Sequence, residues 1–416
     1  MVNPPFTLGV NYWPRRKAMF WWSNFDSREI REEFSLIADL GMSMVRIFLL
    51  WEDWQPTPDS VNQDALNNLE IVCDIAQNLD LSLNVTFFTG HMSGPSWAPG
   101  WMLLPNQTMP AHIRQVVSDG KIVDCAYRNQ YSDSMLLNAS DLMVETVVAR
   151  FKDHPAVGVW NLGNEPDLFA LPDNAAQGKS WTRHLTSLIK SIDPATPVTC
   201  GLHVNSLFED NGLRISDVFA EVDFPVMHGY PMYVDWARGP LDAWYVPFLC
   251  ALTSALSGGK PTLMEELGGC TEAPGKPSSV WAWTEYGKPR TQFMAAEGEF
   301  ADYVEQLLHN LPQVGASGAV FWCFADYHPD LWDRPPCLEA WHERFFGLMR
   351  PDGSLKPHAE VIKRFATSRP TVQPPRYSID LDITPDQYYH DPLKYVQRFY
   401  AEFLSQVGQP FPVPAV

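Results

Sequence analysis

The sequence has little positive charge. Its 30 Lys and Arg residues face 49 Asp and Glu residues, which gives a formal net charge of −19 at pH 7. Such an excess of negative charge disfavours nucleic acids and anionic membrane surfaces as partners. No uninterrupted apolar run reaches the roughly 18 residues that a membrane-spanning helix needs. We therefore expect neither nucleic acid nor membrane as a partner.

The sequence also lacks the common metal and nucleotide motifs. There is no H-E-x-x-H, no Walker sequence, and no G-x-G-x-x-G that opens a helix. No cluster of His and Cys has the spacing of a zinc site. We therefore expect no metal and no cofactor.

Cysteine is present but not arranged for disulfides. The seven cysteines are odd in number, scattered, and without C-x-x-C spacing. Several lie in apolar, strand-like runs, which is typical of reduced cysteines in a core. The start of the chain, Met1-Val2-Asn3-Pro4-Pro5, lacks the basic and apolar regions of a signal peptide. The cytoplasm is the compartment that these features favour.

What the sequence does contain is a large apolar and aromatic fraction. Hydrophobic residues make up 45% of the 416 positions, and 16 of the residues are Trp. This supports a large core and argues against disorder. Most of the aromatic side chains are expected to fill the core, and the others can stack on the apolar faces of sugars.

Eight β-favouring apolar runs alternate with amphipathic helical segments, as in parallel β/α architecture. The predicted strands cover residues 8–13, 44–50, 81–88, 157–162, 197–202, 222–227, 261–266 and 318–324. Eight strand–helix units favour a closed (β/α)8 TIM barrel over an open doubly wound sheet. We assign this α/β barrel, with long βα loops, to residues 1–366.

Three of the βα segments are long, namely residues 90–134, 270–292 and 326–344. In a barrel all three extend from the C-terminal face, where active sites lie. They are rich in Trp, Pro and Gly, and we expect them to wall a cleft or pocket. Trp281 is one of the aromatic residues that we expect to contact a substrate there.

The composition changes near residue 367, and residues 367–416 are predicted to form a C-terminal extension. Residues 369–375 have the composition of an extended linker. Asp391-Pro392 then begins a helix, and its predicted apolar stripe consists of Leu393, Val396, Phe399, Tyr400 and Phe403. This stripe must pack on the barrel or on a partner subunit, and the second alternative would make the protein a homo-oligomer.

Two predicted strands end in carboxylates. Glu165 ends the fourth strand directly before Pro166, and Glu265 and Glu266 end the seventh. A barrel that carries two such carboxylates about 5–5.5 Å apart is equipped for retaining glycoside hydrolysis. Because side chains alternate along a strand, only one residue of the pair 265–266 is expected to face inward. We choose Glu266 as the nucleophile, since it adjoins Leu-Gly-Gly, and expect Glu265 to face the helices. Glu165 is then the acid/base.

Over roughly residues 6–366 the sequence resembles clan A glycoside hydrolases, and among them it is most similar to family 5. Asn164-Glu165-Pro166 matches the acid/base motif of family 5, and Glu266-Leu267-Gly268 matches its nucleophile motif. The other matches follow in the family's order and are Arg46, His91, His228, Tyr230 and Trp322.

The resemblance implies a role for each match. Arg46 and Tyr230 would hydrogen-bond the nucleophile, and Trp322 would floor the catalytic subsite. Asn164, His91 and His228 would bind sugar hydroxyls or orient their neighbours. On the barrel model Asp53 and Asp326 also face the cleft, where they would bind hydroxyls or form salt bridges.

The sequence determines the mechanism better than the substrate. Residues 9–15 and 90–94 are similar to an intracellular bacterial β-mannosidase subgroup of family 5. This resemblance implies an exo-acting retaining β-mannosidase that acts on short manno-oligosaccharides. The alternatives are an endo-β-mannanase or endoglucanase with an open cleft, and a catalytically inactive, carbohydrate-binding barrel.

Overall fold

The structure is a computed structural model that describes residues 3–108 and 115–410. Its central element is a parallel sheet, whose strands are β1 (Thr7–Asn11), β2 (Met44–Leu50), β3 (Ser82–Thr89), β4 (Val157–Asn164), β5 (Val198–Gly201), β6 (Val226–His228), β7 (Leu263–Gly268) and β8 (Gly318–Trp322). Neighbouring strands in this sheet follow the order β5-β4-β3-β2-β1-β8-β7-β6. The backbone N–H of His228 donates to the carbonyl of Leu202 at 3.1 Å, which joins β6 to the end of β5. The sheet is therefore a barrel, and the predicted (β/α)8 fold is confirmed.

The barrel strands are buried on both faces. All seven residues of β2 are buried, and six of them are apolar. Such continuous apolar runs are expected of parallel strands that helices cover on the outside. The exception in β2 is Arg46, which is completely buried inside the barrel.

Helices surround the barrel and cover its outer face. In the described residues they are α1 (Ser27–Asp39), α2 (Gln63–Asn78), α3 (Ser134–Phe151), α4 (Ala175–Ile192), α5 (Ile215–Glu221), α6 (Tyr245–Leu256), α7 (Glu297–Asn310) and α8 (Pro357–Thr367). Side-chain caps begin several of them. At the start of α1 the Asp26 carboxylate accepts the backbone N–H groups of Arg28 and Glu29. The inner face of α1 consists of Ile30, Phe34 and Ile37, as its helical spacing requires.

The sixth strand differs most from its predicted bounds. It was expected over residues 222–227, but β6 begins only at Val226. Val222 instead ends helix α5, and the Asp223 carboxylate accepts the backbone N–H of Val198 at 2.7 Å. Asp223 and Pro225 already interrupt the apolar run in the sequence, and the contact of Asp223 at the bottom of the barrel keeps this segment out of the strand.

Two of the long βα loops have structure of their own. The loop after β3 contains short strands at Ser96–Trp97, Leu103–Leu104, Val116–Ser118, Lys121–Val123 and Ala126–Tyr127. The loop after β7 forms an antiparallel hairpin from Ser279–Glu285 and Lys288–Met294, which we call the β7 hairpin. Its turn residues, Tyr286 and Gly287, both have positive φ, the geometry that matches the twist of a tight hairpin.

The C-terminal extension packs on the barrel. It contains α9 (Pro385–His390) and α10 (Pro392–Gln406), and the ring of Phe403 lies 5.7 Å from that of Phe248 in α6. Tyr400 packs on the same ring at 4.9 Å, and its hydroxyl donates to Asp242. Leu393, which was predicted to belong to the buried stripe, is 44% exposed. Packing on the barrel thus accounts for the rest of the stripe.

Two general features of the chain follow from the structure. All seven cysteines are buried and free. Across residues 3–108 and 115–410 we find no helix with the length and apolar character that crossing a bilayer requires.

We predict that Phe403→Ala lowers the free energy of unfolding by about 3–5 kcal/mol, because it empties a completely buried aromatic site. Urea denaturation followed by tryptophan fluorescence measures the change. Leu393→Ala on the same helix is the control, and we expect it to stay within about 0.5 kcal/mol of wild type. Equal losses for the two variants would contradict this packing of α10.

Candidate active site

A cavity of about 450 Å³ lies at the C-terminal ends of the barrel strands. Its walls come from the ends of β3 to β8, from the loops that follow them, and from the β7 hairpin. Predicted site residues that line it are Asn164, Glu165, His91, His228, Tyr230, Glu266 and Trp322. Arg46 lies directly beneath the cavity. The structure thus brings together the residues that the family resemblance selected.

Glu165 adopts an unusual backbone conformation at the end of β4. Its φ is 45°, in the left-handed region, and its N–H donates to the carbonyl of Gly201 at 2.9 Å. Pro166 then begins the one-turn helix Pro166–Phe169. A non-glycine residue in this region is strained, and such strain is found mostly where function requires a defined orientation. The turn aims the Glu165 carboxylate into the cavity.

Glu266 is held by two donors on the opposite side of the cavity. The Nη1 of Arg46 donates to its Oε1 at 2.7 Å, and the Tyr230 hydroxyl donates to its Oε2 at 2.8 Å. One carboxylate oxygen each of Glu165 and Glu266 lie within 4.8 Å of one another. This proximity suits the short carboxyl separation of a retaining glycosidase, since an inverting enzyme places a water between more distant groups.

The position of Glu265 differs from the one predicted from the alternation of side chains along β7. It was expected to face the helices, yet its carboxylate is completely buried inside the barrel beneath the cavity. It accepts hydrogen bonds from Asn84 at 2.6 Å and from Asn161 at 2.8 Å, and lies 3.4 Å from Arg46 Nη2. The pairing of β7 with β8 changes register between Met264 and Leu267. This irregularity lets two consecutive carboxylates point inward, but only Glu266 lines the cavity.

Three histidines surround the Glu165 carboxylate. His228 Nδ1 lies 3.0 Å from Oε1, while His91 Nε2 and His203 Nδ1 each lie 3.9 Å from one of the carboxylate oxygens. Burial raises the pKa of Glu165, but the charges of these histidines outweigh burial and hold the pKa below its ordinary value. The three histidines therefore favour the ionised form of the Glu165 carboxyl when no substrate is bound.

His228 connects the three carboxylates of the site. Burial lowers its pKa, but the charge of Glu266 and hydrogen bonds to Glu165 and Glu265 raise the pKa to about 9. Its Nε2 lies 3.3 Å from Glu265, and its Nδ1 lies 3.5 Å from Glu266. At neutral pH the ring is therefore an imidazolium that partly neutralises all three acids.

The two carboxyls that line the cavity titrate as a pair, since they interact directly. Burial and the charge of Glu165 raise the pKa of Glu266, whereas His228 and Arg46 oppose this. Of the two acids, Glu266 is the one in contact with Arg46, whose charge is permanent. Geometry thus favours ionised Glu266 as nucleophile and leaves proton transfer to Glu165.

The structure adds cavity residues that the sequence reading missed. His203, after β5, makes a short contact with Asp167, and its only sequence signal is its position next to a strand end. Glu343 and Arg290 line the cavity from the β8 loop and from the β7 hairpin. Burial, followed by the charge of Glu285, raises the pKa of Glu343 to about 8. No motif marks these loop residues, since their position depends on how the loops fold back.

Three other predicted binding residues do not line the cavity. Asp326 is buried and forms an ion pair with Lys356 Nζ at 2.7 Å, so the salt-bridge alternative is the correct one. Trp281 donates through its indole N–H to Glu272 and packs against Phe345. Asp53 lies in the one-turn helix Trp51–Trp54, where burial raises its pKa to about 7. The structure therefore does not place these three residues in the cavity wall.

The carboxylates of Glu165 and Glu266 and the ring of His228 form the one cluster of potential metal ligands in the described part of the chain. Arg46 and Tyr230 already occupy the two oxygens of Glu266, and the Arg46 charge opposes a cation there. The arrangement thus suits acid–base chemistry between carboxylates better than metal binding.

We predict that Asp326→Asn lowers the free energy of unfolding by about 3–5 kcal/mol, because Lys356 is left as an unpaired buried charge. KM for a glycoside substrate should not change. The double variant Asp326→Leu/Lys356→Met should recover most of the lost stability, since apolar groups replace the whole pair. Thermal unfolding measures the stability of the variants, and steady-state kinetics measures their KM. A raised KM without loss of stability would restore the sugar-binding role.

Comparison with known proteins agrees with this geometry. Residues 109–368 match the family model described as glycosyl hydrolases family 2, TIM barrel domain. Mannan endo-1,4-beta-mannosidase F of Aspergillus clavatus is 28% identical over 151 residues, which are 33% of this chain and 34% of that protein. The chain thus matches about a third of the length of this curated relative.

Solved structures with the same fold include a GH5_18 enzyme from Bifidobacterium longum in complex with Manβ1-4GlcNAc. It is 18% identical, with a TM-score of 0.76, and the match covers 97% of this chain and 89% of that one. The exo-beta-1,4-mannosidase of an Opitutaceae bacterium is 24% identical, with a TM-score of 0.69, over 88% of this chain and 60% of that one. The predicted resemblance to clan A, and to its family 5, is confirmed. The chain belongs to the glycosyl hydrolases family 2 TIM barrel domain family, and it is a clan A glycoside hydrolase.

Proposed function

We propose that this protein is an exo-acting retaining β-mannosidase that acts on short manno-oligosaccharides. The observation that carries the proposal is the pair of carboxylates within 4.8 Å in a cavity at the C-terminal end of the barrel. This pair, and not the cavity alone, supports hydrolysis through a covalent glycosyl-enzyme.

In the first step the ionised Glu266 attacks the anomeric carbon while Glu165 protonates the departing oxygen. The bond between the anomeric carbon and that oxygen breaks, and an ester to Glu266 forms. Arg46 and Tyr230 hold the Glu266 oxygens, so that the attacking atom is fixed in place before the substrate arrives. Glu266 is then an uncharged ester, and Glu165, which has given up its proton, is ionised.

In the second step Glu165 acts as base. It takes a proton from water, the water oxygen attacks the same carbon, and Glu266 leaves as a carboxylate. The histidines around Glu165 keep its ionised form accessible for this step, because their charges lower its pKa. Two displacements at one carbon retain the configuration.

Action on short oligosaccharides is supported by the size of the cavity. Its volume of about 450 Å³ is within the range of about 300–1,000 Å³ that is usual for small-molecule sites. Walls from β3 to β8 and from the β7 hairpin surround it, and Trp322 supplies an aromatic face at its base. A short oligosaccharide is of a size that this volume accommodates.

The β-mannoside specificity is supported by the names of the matched proteins. The Opitutaceae enzyme is an exo-beta-1,4-mannosidase, and the Bifidobacterium enzyme was solved with Manβ1-4GlcNAc. The curated Aspergillus relatives are endo-acting mannan mannosidases, which keeps an endo-β-mannanase as the second candidate.

The seven buried free cysteines support the proposed cytoplasmic location.

We predict that Glu266→Ala abolishes hydrolysis of an activated aryl β-mannoside, because the ester can no longer form. Azide fits the space left by the carboxylate, so it should restore turnover and give a glycosyl azide of inverted configuration. NMR of the product measures the configuration. Glu265→Ala is the control, since that side chain lies beneath the cavity, and azide should not rescue it. Rescue of Glu265→Ala in place of Glu266→Ala would reverse the assignment.

We also predict that the wild-type enzyme hydrolyses aryl β-mannoside and mannobiose faster than aryl β-glucoside, and releases only monosaccharide from mannan. Chromatography of the products over time measures this. Early release of longer mannan fragments would favour the endo alternative. Binding of manno-oligosaccharides without turnover of any β-glycoside would show an inactive carbohydrate-binding barrel.

A further inference from the structure

A second buried acid–imidazole pair lies behind Glu165. The Oδ2 of Asp167 is 2.8 Å from Nε2 of His203, and the side chains are 2% and 9% exposed. The other ring nitrogen, Nδ1, faces Glu165 Oε1 at 3.9 Å. Carboxylate, imidazole and carboxyl thus lie in a row that ends at the proposed acid/base.

The Asp167 end of the row is held in place by further contacts. Asn211 Nδ2 donates to Asp167 Oδ2 at 3.0 Å. The side-chain oxygen of Asn211, Oδ1, accepts the backbone N–H of Leu213 at 3.0 Å. Asp167 itself lies in the first turn of the one-turn helix Pro166–Phe169. The backbone that sets the strained φ of Glu165 therefore also positions Asp167, and the distance between them is fixed.

We propose that Asp167 and His203 are positioning residues that hold a positive charge beside Glu165 and so keep this acid/base able to release its proton. The proposal rests on the proposed function, which makes Glu165 the acid/base. Asp167 does not line the cavity, so it acts through His203 rather than on the substrate.

Electrostatics agrees with this geometry. Burial lowers the pKa of His203, but the charges of Asp167 and Glu165 and the hydrogen bond that the ring donates to Asp167 raise it above its ordinary value. In turn, the charge of His203 is the largest single effect that lowers the pKa of Glu165 against the effect of burial. The negative charge of Asp167 thus stabilises a positive charge on His203, and that positive charge lowers the pKa of Glu165.

Other groups also face this row, so the test must distinguish the effect of the His203 charge from theirs. His228 from β6 and His91 from the β3 loop face Glu165, and Glu209 faces Asp167 and His203. The charge of His228 is shared with two further carboxylates, those of Glu265 and Glu266. The charge of His203 is balanced mainly by Asp167, so a change at Asp167 should alter it selectively.

Buried thiol and phenol groups complete the surroundings of Asp167. Cys200 on β5 and Tyr131, before α3, both have raised pKa values, mainly because they are buried and partly because Asp167 is charged. Both are neutral at working pH. They therefore do not contribute a titration of their own to the pH dependence of the site.

The test is Asp167→Asn, which keeps the shape of the side chain and removes its charge. The kcat/KM of an aryl β-mannoside with a poor leaving group is measured against pH, since such a substrate needs the protonated acid. Without Asp167 the His203 charge is weakened, the pKa of Glu165 rises, and the alkaline limb should move to higher pH by about one unit. An unchanged alkaline limb, or one displaced to lower pH, would overturn the proposal.

Two further variants separate charge from structure. In the His203→Gln background Asp167→Asn should cause no additional displacement of the limb, and an equal displacement there would contradict action through His203. Asp141→Asn is the matched control, because Asp141 forms a similar pair with His184 at 2.7 Å on the surface. It should leave the pH profile as in wild type.

A second readout does not depend on turnover. Carboxyl ¹³C NMR of the full-length protein follows the titration of Glu165, which should move to higher pH in Asp167→Asn and in His203→Gln. If the wild type hydrolyses no β-glycoside, the proposed function fails, and this titration still decides the role of the pair. A Glu165 titration that neither variant moves would overturn the inference.

Discussion

The buried positive charge of Arg46 is the interaction on which the barrel interior and the site both depend. Its guanidinium is completely buried, and an isolated charge in that position would cost several kcal/mol. Its nitrogens donate to Glu266, to the side-chain oxygen of Asn164, and to Thr86. Since an arginine does not lose its proton in a protein, the barrel must supply anions around it. The carboxylate of Glu266 is one of them, so the proposed nucleophile is also a partner that the buried arginine requires.

The second anion, Glu265, explains why the site has one more carboxylate than the reaction uses. Arg46 lies against both glutamates, and His228 adds a second positive charge between them. Space for this arrangement comes from Gly201, where a Cβ atom would lie only 2.8 Å from Arg46 Nη2. The irregular register of β7 places both carboxylates on the inside. The result is a network in which each buried charge has a partner of opposite sign, as buried ionic groups require.

The sequence predicts the parts of this architecture that follow from regular repetition or from motifs. Alternating apolar runs located all eight strands, and the order of the family motifs selected the residues around Glu165 and Glu266. Period-two alternation failed at Glu265, because a register change within one strand leaves no trace in the residue pattern. Asp326 was misread for another reason. Its partner Lys356 lies 30 residues further along the chain, and only the folded structure brings the two together.

The loops differ from the barrel in what can be inferred from the chain. The order of the strands in a barrel determines which strand ends lie next to each other. The neighbours of a residue such as Glu165 can therefore be predicted once its strand is identified. The position of Glu343 or Arg290 depends on how the β8 loop and the β7 hairpin fold over the cavity, which no periodic pattern encodes. The match to a family 2 barrel model beside solved family 5 structures of the same fold fits this division, because the barrel is what they have in common. In barrels of this kind the loops vary while the strands are kept, and we therefore expect the β7 hairpin and the β8 loop, which line the cavity, to influence substrate choice.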